Sequence, residues 1–237
     1  MIKIMNKEEC CGCKACIASC PKKCIEMVTD NEGFEYPLVQ EDACIKCGKC
    51  IKACPFITKK INTEKYEQRG YAAISLDEKV RLSSSSGGIF YHLAANILQM
   101  GGYVCGATMS VDNKSVTHII IDKIDDLRRL QGSKYVQSNL GEIFGEVERL
   151  LKNGRLVLFS GVPCQIEALH NYLNKDYENL ICVDVICHGV SSPGVWNTYI
   201  SYISRKANKE ISEVIFRYKI EKGAIRNGCY SSREINP

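Results

Sequence analysis

Cysteine is the residue type whose number and spacing in this chain point most clearly to chemistry. The 237 residues include 15 cysteines, and ten of them lie before residue 57. Eight of these ten form two runs with the same spacing, C-x2-C-x2-C-x3-C followed by proline, and the second run lies 34 residues after the first. The runs are Cys10, Cys13, Cys16, Cys20 and Cys44, Cys47, Cys50, Cys54.

This spacing is typical of bacterial two-cluster ferredoxins, in which the fourth cysteine of each run ligates the cluster of the other run. We therefore predict two [4Fe–4S] clusters. One is held by Cys10, Cys13, Cys16 and Cys54, and the other by Cys20, Cys44, Cys47 and Cys50. The alternative is a pair of zinc sites with four cysteines each. The exact repeat, with Pro21 and Pro55 both in place, favours iron and sulfur.

Two further cysteines, Cys11 and Cys24, fall outside the repeat. Cys10 begins the first run because it aligns with Cys44, whereas Cys11 aligns with Ile45. A free cysteine behaves as a small apolar residue in most proteins. We therefore interpret both as buried apolar residues or spare thiols and not as ligands.

The chain divides where its composition changes. Residues 1–57 are cysteine-rich and predict two short strands, 25–28 and 36–39, within a ferredoxin-like α+β domain. Residues 58–69 are polar and charged, which is typical of a linker. Residues 70–237 alternate strand and helix patterns, beginning with a strand at 71–75, and predict an α/β domain with a largely parallel sheet.

Composition excludes several classes of function. The net charge is only +4, and no basic cluster is interleaved with aromatic residues, so we expect no binding to nucleic acid. No run of about 18 apolar residues occurs, so we expect no membrane span. The first residues, "MIKIMNKEEC", do not resemble a signal peptide, and we expect a cytoplasmic protein with reduced thiols.

Three loops at predicted strand ends carry polar or thiol side chains. The segment "SSSSGGIF" (83–90) opens a helix and can hold a phosphate, although a simple serine N-cap is the alternative. Neither a G-x-G-x-x-G nor a Walker motif is present. Cys164 begins a helix, a position that favours a thiolate. Cys187 follows the next strand, so the two thiols are expected to lie close together. They would be metal ligands, a redox pair or two ordinary half-buried cysteines.

Four segments that follow the two cysteine runs carry a family resemblance: "SSSGGIF" (84–90), "QGSKYVQS" (131–138), "LVLFSGVPCQIEAL" (156–169) and "LICVDVICHGVSSPGVW" (180–196). With them the chain resembles the coenzyme F420 hydrogenase/dehydrogenase beta-subunit family, in the branch with an N-terminal two-cluster ferredoxin domain. The resemblance implies FAD in the α/β domain, with Lys134 facing a phosphate or a flavin carbonyl. The implied pocket residues are Ser86, Gly87, Gly88, Gly132, Ser133, Lys134 and Tyr135.

The resemblance also implies a third [4Fe–4S] cluster near the flavin, with Cys164 and Cys187 among its ligands. The family has a C-x2-C segment further along, where this chain has Cys229 followed by Ser232. Cys229 matches the first cysteine of that segment, and Ser232 departs from the second. We therefore expect the C-terminus of the α/β domain to be incomplete.

The sequence thus predicts an iron–sulfur flavoprotein oxidoreductase. It would pass electrons between [4Fe–4S] clusters and a flavin, with hydride exchange to coenzyme F420 or another organic acceptor. Its expected partner is a redox protein or a hydrogenase/dehydrogenase-type subunit. No side chain stands out as a catalytic acid or base. A non-enzymatic electron-transfer subunit and a reductase of a sugar or polysaccharide pathway remain open as alternatives.

Overall fold

The computed structural model describes residues 1–58, 67–219 and 225–234. The predicted linker at 58–69 therefore falls largely outside the described residues. The described chain forms a small cysteine-rich unit, followed by a larger unit built around a five-stranded sheet.

The N-terminal unit contains an antiparallel hairpin and two short helices. Strand β1 (Ile25–Thr29) pairs with β2 (Glu35–Val39), and the Asp30 carboxylate closes their turn by accepting the N–H groups of Glu32 and Phe34. Both predicted strands are confirmed. Helices α1 (Ala15–Ala18) and α2 (Lys49–Ala53) each contain the third cysteine of a run.

The 34-residue repeat is visible in the backbone as well as in the sequence. A 3-10 turn at Lys7–Glu9 precedes the first run, and another at Glu41–Ala43 precedes the second. Lys14 and Gly48 precede α1 and α2 with φ of 62° and 75°, so the chain passes through the left-handed region at equivalent places. Each half thus wraps its cysteines into the same tight loop.

The larger unit is a mixed sheet with strand order β5-β4-β3-β6-β7. Only the β3–β4 pair is antiparallel, and the other three pairs are parallel. The predicted fold class, an α+β ferredoxin-like unit followed by an α/β unit with a largely parallel sheet, is confirmed. The strands are β3 (Tyr103–Met109), β4 (Val116–Ile121), β5 (Ser138–Asn139), β6 (Val157–Gly161) and β7 (Leu180–Asp184).

Helices α4 (Ile89–Gln99) on one face and α5 (Ile143–Lys152) and α6 (Pro163–Leu173) on the other cover this sheet. The unit also contains α3 (Glu78–Leu82), α7 (Pro193–Ala207) and a 3-10 helix at Ile124–Arg129. On one face α4 packs with Val104 and Leu158, and on the other α5 and α6 pack with Cys105 and Phe159. Neighbouring strand residues point to opposite faces, so the apolar run in β6 is buried on both sides.

The chain continues from α7 into a two-stranded ribbon. Strand β8 (Lys209–Lys219) pairs antiparallel with β9 (Ile225–Glu234), and Trp196, Ile200 and Ile211 pack together beneath it. The "VIFRYK" segment (214–219) of β8 therefore has both a pairing partner and a helix against it.

One predicted strand is wrong. Residues 71–75 form no strand, and Tyr71 and Ile74 are exposed. Only Ser75 is buried, and its N–H donates to the carbonyl of Gly87 at 2.7 Å. The apolar residues of this segment therefore do not join the sheet. The segment lies beside the loop before α4 instead.

Among the described residues, no helix combines the length and the apolar character needed to cross a membrane.

Candidate iron–sulfur and cofactor sites

The first cysteine set lines an open cavity in the N-terminal unit. Cys16 and Cys54 are buried, whereas Cys10 and Cys13 are half-buried. Cys54 comes from the second sequence run, so the structure brings together the crossed set that the ferredoxin pattern predicts. Cys11 also lines this cavity.

The second cysteine set lines a separate open cavity. Its lining includes Cys20 from the first run together with Cys44, Cys47 and Cys50 from the second. The backbone N–H of Ile2 donates to the Cys50 sulfur at 3.3 Å, the kind of contact that stabilises a thiolate ligand. Cys24 is buried with its sulfur 3.5 Å from that of Cys20, so this residue lies against the site.

Both donor sets fit a [4Fe–4S] cluster. Each offers four cysteine sulfurs around a space, and soft thiolates are the ligands that these clusters use. Burial and neighbouring thiols raise the pKa of Cys16 to about 12, and burial raises that of Cys10. Iron that replaces the thiol protons would relieve this crowding. Among the described residues, no three His, Cys, Asp or Glu side chains are grouped closely enough to bind a single metal ion.

The loop of the first set is held tightly against the α/β unit. Gly12 has φ of 65°, and a Cβ built on it would lie 2.6 Å from the Gln137 amide nitrogen. That amide donates to the Cys11 carbonyl at 3.0 Å. Ala15 and Ala53, both fully buried, pack into the same apolar cluster as α5 and α6. The first site therefore lies at the contact between the two units.

Cys11 is the thiol that links this loop to the α/β unit. Its side chain interacts with the side chains of Cys13 and Cys164. Interaction with Cys11, together with burial, raises the pKa of Cys164. These surroundings oppose the thiolate that the helix N-terminal position favours, and the thiolate stays a prediction. Sequence reasoning left Cys11 as a spare thiol, because nothing in the repeat indicates a partner in the other unit.

Two of the predicted cofactor segments lie next to each other. The Ser85 hydroxyl accepts the backbone N–H of Ser133 at 2.7 Å, which joins the serine-rich loop to the "GSKY" segment. Gly88, with φ of 86°, precedes α4, and no side chain caps that helix. The first N–H groups of α4 are thus available to an anionic group. The predicted pocket residues Ser86, Gly87, Gly88, Gly132, Ser133, Lys134 and Tyr135 all belong to these two segments.

Lys134 has its ammonium group committed to the protein. Its Nζ donates to the carbonyls of Arg129 and Gln131 at 3.2 and 2.9 Å. Burial lowers the pKa of this ammonium group to about 8. A role at a phosphate or flavin carbonyl stays a prediction and requires this side chain to turn. Lys219 of β8, which sequence reasoning missed, donates instead to the carbonyls of Arg81 and Ser86.

The other cysteines predicted at a third cluster are not gathered into one contact. Cys187 is exposed, and its sulfur accepts the N–H of Gly189 at 3.4 Å. Cys164 interacts with Cys11, as described above. Cys229 pairs with Ile215 through the β8–β9 backbone register, and its side chain lies outside the described part of the structure. The third cluster therefore stays a prediction.

Comparisons with known proteins match two segments of the chain. The family model of the 4Fe-4S dicluster domain matches residues 9–57. A second family model, which describes the C-terminal part of the beta subunit in coenzyme F420 hydrogenase/dehydrogenase, matches residues 154–232. No curated protein matches the chain.

Among solved structures, a chain of the xenon-derivatized F420-reducing [NiFe] hydrogenase complex from Methanosarcina barkeri is similar, with 18% identity and a TM-score of 0.46. The alignment covers 66% of the present chain and 58% of that chain, so the present chain matches less than two thirds of its relative's length.

Proposed function

We propose that this chain, which matches family models over residues 9–57 and 154–232, is a member of the coenzyme F420 hydrogenase/dehydrogenase beta-subunit family with a 4Fe–4S dicluster domain and has a flavin-dependent electron-transfer function. In this proposal two [4Fe–4S] clusters exchange electrons with a flavin held in the α/β unit. The flavin in turn exchanges a hydride with coenzyme F420 or another organic acceptor. The two matched domains support the more general part of this proposal, an iron–sulfur oxidoreductase subunit for electron transfer.

One observation carries the proposal beyond the domain matches. The loop of the first cysteine set packs directly on the α/β unit, through Gln137 at Cys11 and through Cys11 at Cys164. Electron transfer between cofactors requires a short, fixed separation, and a direct contact between the first cysteine set and the α/β unit supports this arrangement. A ferredoxin unit that merely shared the chain with a docking domain would need no such contact.

The chain's own residues would bind and orient the flavin. The uncapped N–H groups at the start of α4 can hold a pyrophosphate, and the Ser85–Ser133 contact keeps the "GSKY" segment beside them. When bound, a flavin accepts or donates two electrons as hydride and also accepts or donates single electrons, so it can connect organic substrates with iron–sulfur clusters.

Anaerobic purification followed by iron and flavin analysis tests the proposal. We expect about eight irons per chain from two clusters and a stoichiometric flavin released by acid, and about twelve irons if a third cluster is present. Absence of flavin after reconstitution with FAD would contradict the proposal and leave the non-enzymatic electron-transfer subunit. Reduction of F420 by the reduced protein separates the deazaflavin acceptor from a sugar-pathway substrate.

The third cluster has its own test with Cys187→Ala. If Cys187 is a ligand, this variant should contain about four irons fewer than the wild type. Cys182→Ala is the matched control, because Cys182 lies in β7 and burial raises the pKa of its thiol to about 11. Equal iron contents in the wild type and both variants would show that Cys187 holds no cluster.

A further inference from the structure

The two cysteine sets have different surroundings. The first set packs toward α5 and α6, as shown by the burial of Ala15 and Ala53 among their side chains. The second cavity is lined entirely by residues of the N-terminal unit, from Met1 to Cys50. The first cavity is likewise lined by residues of the N-terminal unit, from Ile2 to Phe56. The two sets differ in their packing. Cys13 of the first set packs against the apolar cluster of α5 and α6, whereas Cys20, Cys44 and Cys50 of the second set pack among residues of the N-terminal unit. The first site therefore lies against the α/β unit, and the second lies among residues of the N-terminal unit alone.

The second site is also open to solvent. Cys47 is exposed, and Ile45 beside it is 58% exposed. A cluster held there would have one ligand and one apolar side chain at the protein surface. Electron transfer between proteins requires this kind of access, because an insulating layer of protein slows it.

Charge is distributed unevenly over the N-terminal unit. Residues 1–57 contain eight lysines and eight acidic residues, so their net charge is zero. Lys7 and Lys14, on the first half, pair with Asp30 and Glu35. Five exposed lysines that are close in sequence to cysteines of the second set form no ion pair with any described residue: Lys22, Lys23, Lys46, Lys49 and Lys52.

Two of these lysines lie directly at the opening. Lys22 and Lys46 line the second cavity, and no acidic residue does so. The first cavity, by contrast, is lined by both Glu9 and Lys14, and Lys14 is paired with Glu35. The nearest acidic residues in sequence to the second run are Glu41 and Asp42, which precede Cys44 and lie outside the lining. The second opening therefore presents an apolar centre, Ile45 and Cys47, together with two lysines that form no ion pair with a described residue.

We propose that this opening, defined by Lys22, Ile45, Lys46 and Cys47, is the docking surface for a small acidic iron–sulfur electron carrier. The proposal rests on the two clusters of the proposed function and adds the order in which they act. The carrier loses one electron and the second cluster gains it, with no bond made or broken and no proton moved. The electron then passes to the first cluster and from there toward the α/β unit.

The physical basis is steering by charge. Complementary electrostatic potentials raise the rate at which two proteins associate. At a salt concentration of 0.1 M this attraction is largely screened beyond about 10 Å. A lysine pair at the opening would orient the carboxylates of the carrier around the apolar centre. Association should therefore be fast at low salt and slow as salt rises.

The test is anaerobic electron transfer from a reduced plant-type [2Fe–2S] ferredoxin, which is acidic, to the purified full chain. Rapid-freeze electron paramagnetic resonance distinguishes the [2Fe–2S] signal from the [4Fe–4S] signal, so the readout does not depend on flavin. Lys22→Glu combined with Lys46→Glu should lower the second-order rate constant about tenfold at low salt and weaken its salt dependence.

Lys79→Glu combined with Lys114→Glu is the matched control. Both residues are exposed on the α/β unit, and the double change alters the net charge equally. Photoreduction with a neutral deazaflavin should reduce the clusters equally in all three proteins. An equal loss of rate in both double variants, or in neither, would overturn the docking surface. Lack of flavin would contradict only the proposed function, because the clusters are read directly.

Discussion

The side chains of Cys11 and Cys164 interact across the contact between the N-terminal unit and the start of α6. Cys11 also interacts with Cys13, one of the predicted ligands of the first cluster. A single non-ligand thiol therefore lies between a predicted cluster ligand and the first turn of a helix in the other unit. This arrangement places Cys11 in the surroundings of the cluster, where hydrogen bonds to ligand sulfur influence the reduction potential.

Separate alanine substitutions of a predicted ligand and of its non-ligand neighbour test whether Cys11 lies beside the cluster without binding it. Cys13→Ala removes a predicted ligand and should lower the iron content from about eight toward about four per chain. Cys11→Ala should keep about eight irons while shifting the potential of the first cluster, because only a neighbour of the ligand is lost. Iron analysis and a potentiometric titration measure both. A loss of four irons from Cys11→Ala, on the order of one cluster, would show that Cys11 is itself a ligand.

Gly33 and Gly194 approach each other so closely that one added methyl group at Gly194 should destabilise the protein. A Cβ at Gly194 would lie 2.8 Å from the Cα of Gly33 in the β1–β2 turn. Gly194→Ala should therefore destabilise the contact between the units by about 1–3 kcal/mol, although alanine favours the helix itself. Urea unfolding and protease resistance measure this loss.

Gly145→Ala is the control for that change. Gly145 also lies in a helix, and its Cβ would meet only the Tyr172 hydroxyl, at 3.8 Å. This variant should be neutral or more stable by up to about 1 kcal/mol. If Gly194→Ala matched it, the glycine contact between the units would not be tight.

His118 predicts a loss of stability in acid. The side chain is 5% exposed, its Nε2 lies 3.2 Å from the Ser160 carbonyl and its Nδ1 has no described partner. Burial lowers its pKa from 6.5 to about 4, with Lys134 adding a smaller effect in the same direction. Because the folded pKa is depressed, the stability is fully present above pH 6.5 and is lost as pH falls toward 4.

We expect this residue to reduce the free energy of unfolding by about 2 kcal/mol between about pH 7 and pH 5. His118→Gln keeps an amide near the Ser160 carbonyl but does not titrate, so it should lose less stability over the same interval. The comparison is made by urea unfolding at each pH, and acid sensitivity of the clusters affects both proteins equally. Parallel curves for the two proteins would contradict the depressed pKa.

Replacement of the buried Asn171 by an apolar residue should stabilise the protein. The Asn171 side chain is 4% exposed on α6, and neither atom of its amide bonds to a described residue. A buried amide without partners destabilises the folded state, so Asn171→Leu should raise the free energy of unfolding by about 1 kcal/mol or more. Asn179→Leu should lower it, because the Asn179 amide donates to the carbonyls of Leu151 and Arg155. Urea midpoints of the two variants should therefore move in opposite directions.

The parts of the structure that depend on local spacing could be predicted from the sequence. The grouping of Cys54 with the first set and of Cys20 with the second follows from a repeat that fixes both loops in the same conformation. The order of β6, α6, β7 and α7 follows from patterns that change period at Pro163 and Pro193, each at the first turn of its helix.

The contacts between the units could not be predicted in this way. Gln137 and Cys164 approach Cys11 only because α1 and α2 pack on α6, and no local pattern encodes that packing. At residues 71–75 the sequence pattern predicted a strand that the structure lacks. A short apolar stretch has the pattern of a strand whether or not it lies next to a sheet edge. Lys219 reaches the serine-rich loop from β8, a contact that depends on the whole α/β unit.

The Ser192 hydroxyl serves two elements at once. It accepts the N–H of Val195 at 3.0 Å and so caps α7, and it donates to the Glu32 carbonyl in the β1–β2 turn. Separation of the two units would thus loosen the beginning of the helix that carries Trp196, the single tryptophan of the chain. The Trp196 indole donates to the Asn113 carbonyl at 2.8 Å and lies against Phe216. The protein therefore contains an intrinsic fluorescent reporter for the attachment of its iron–sulfur unit.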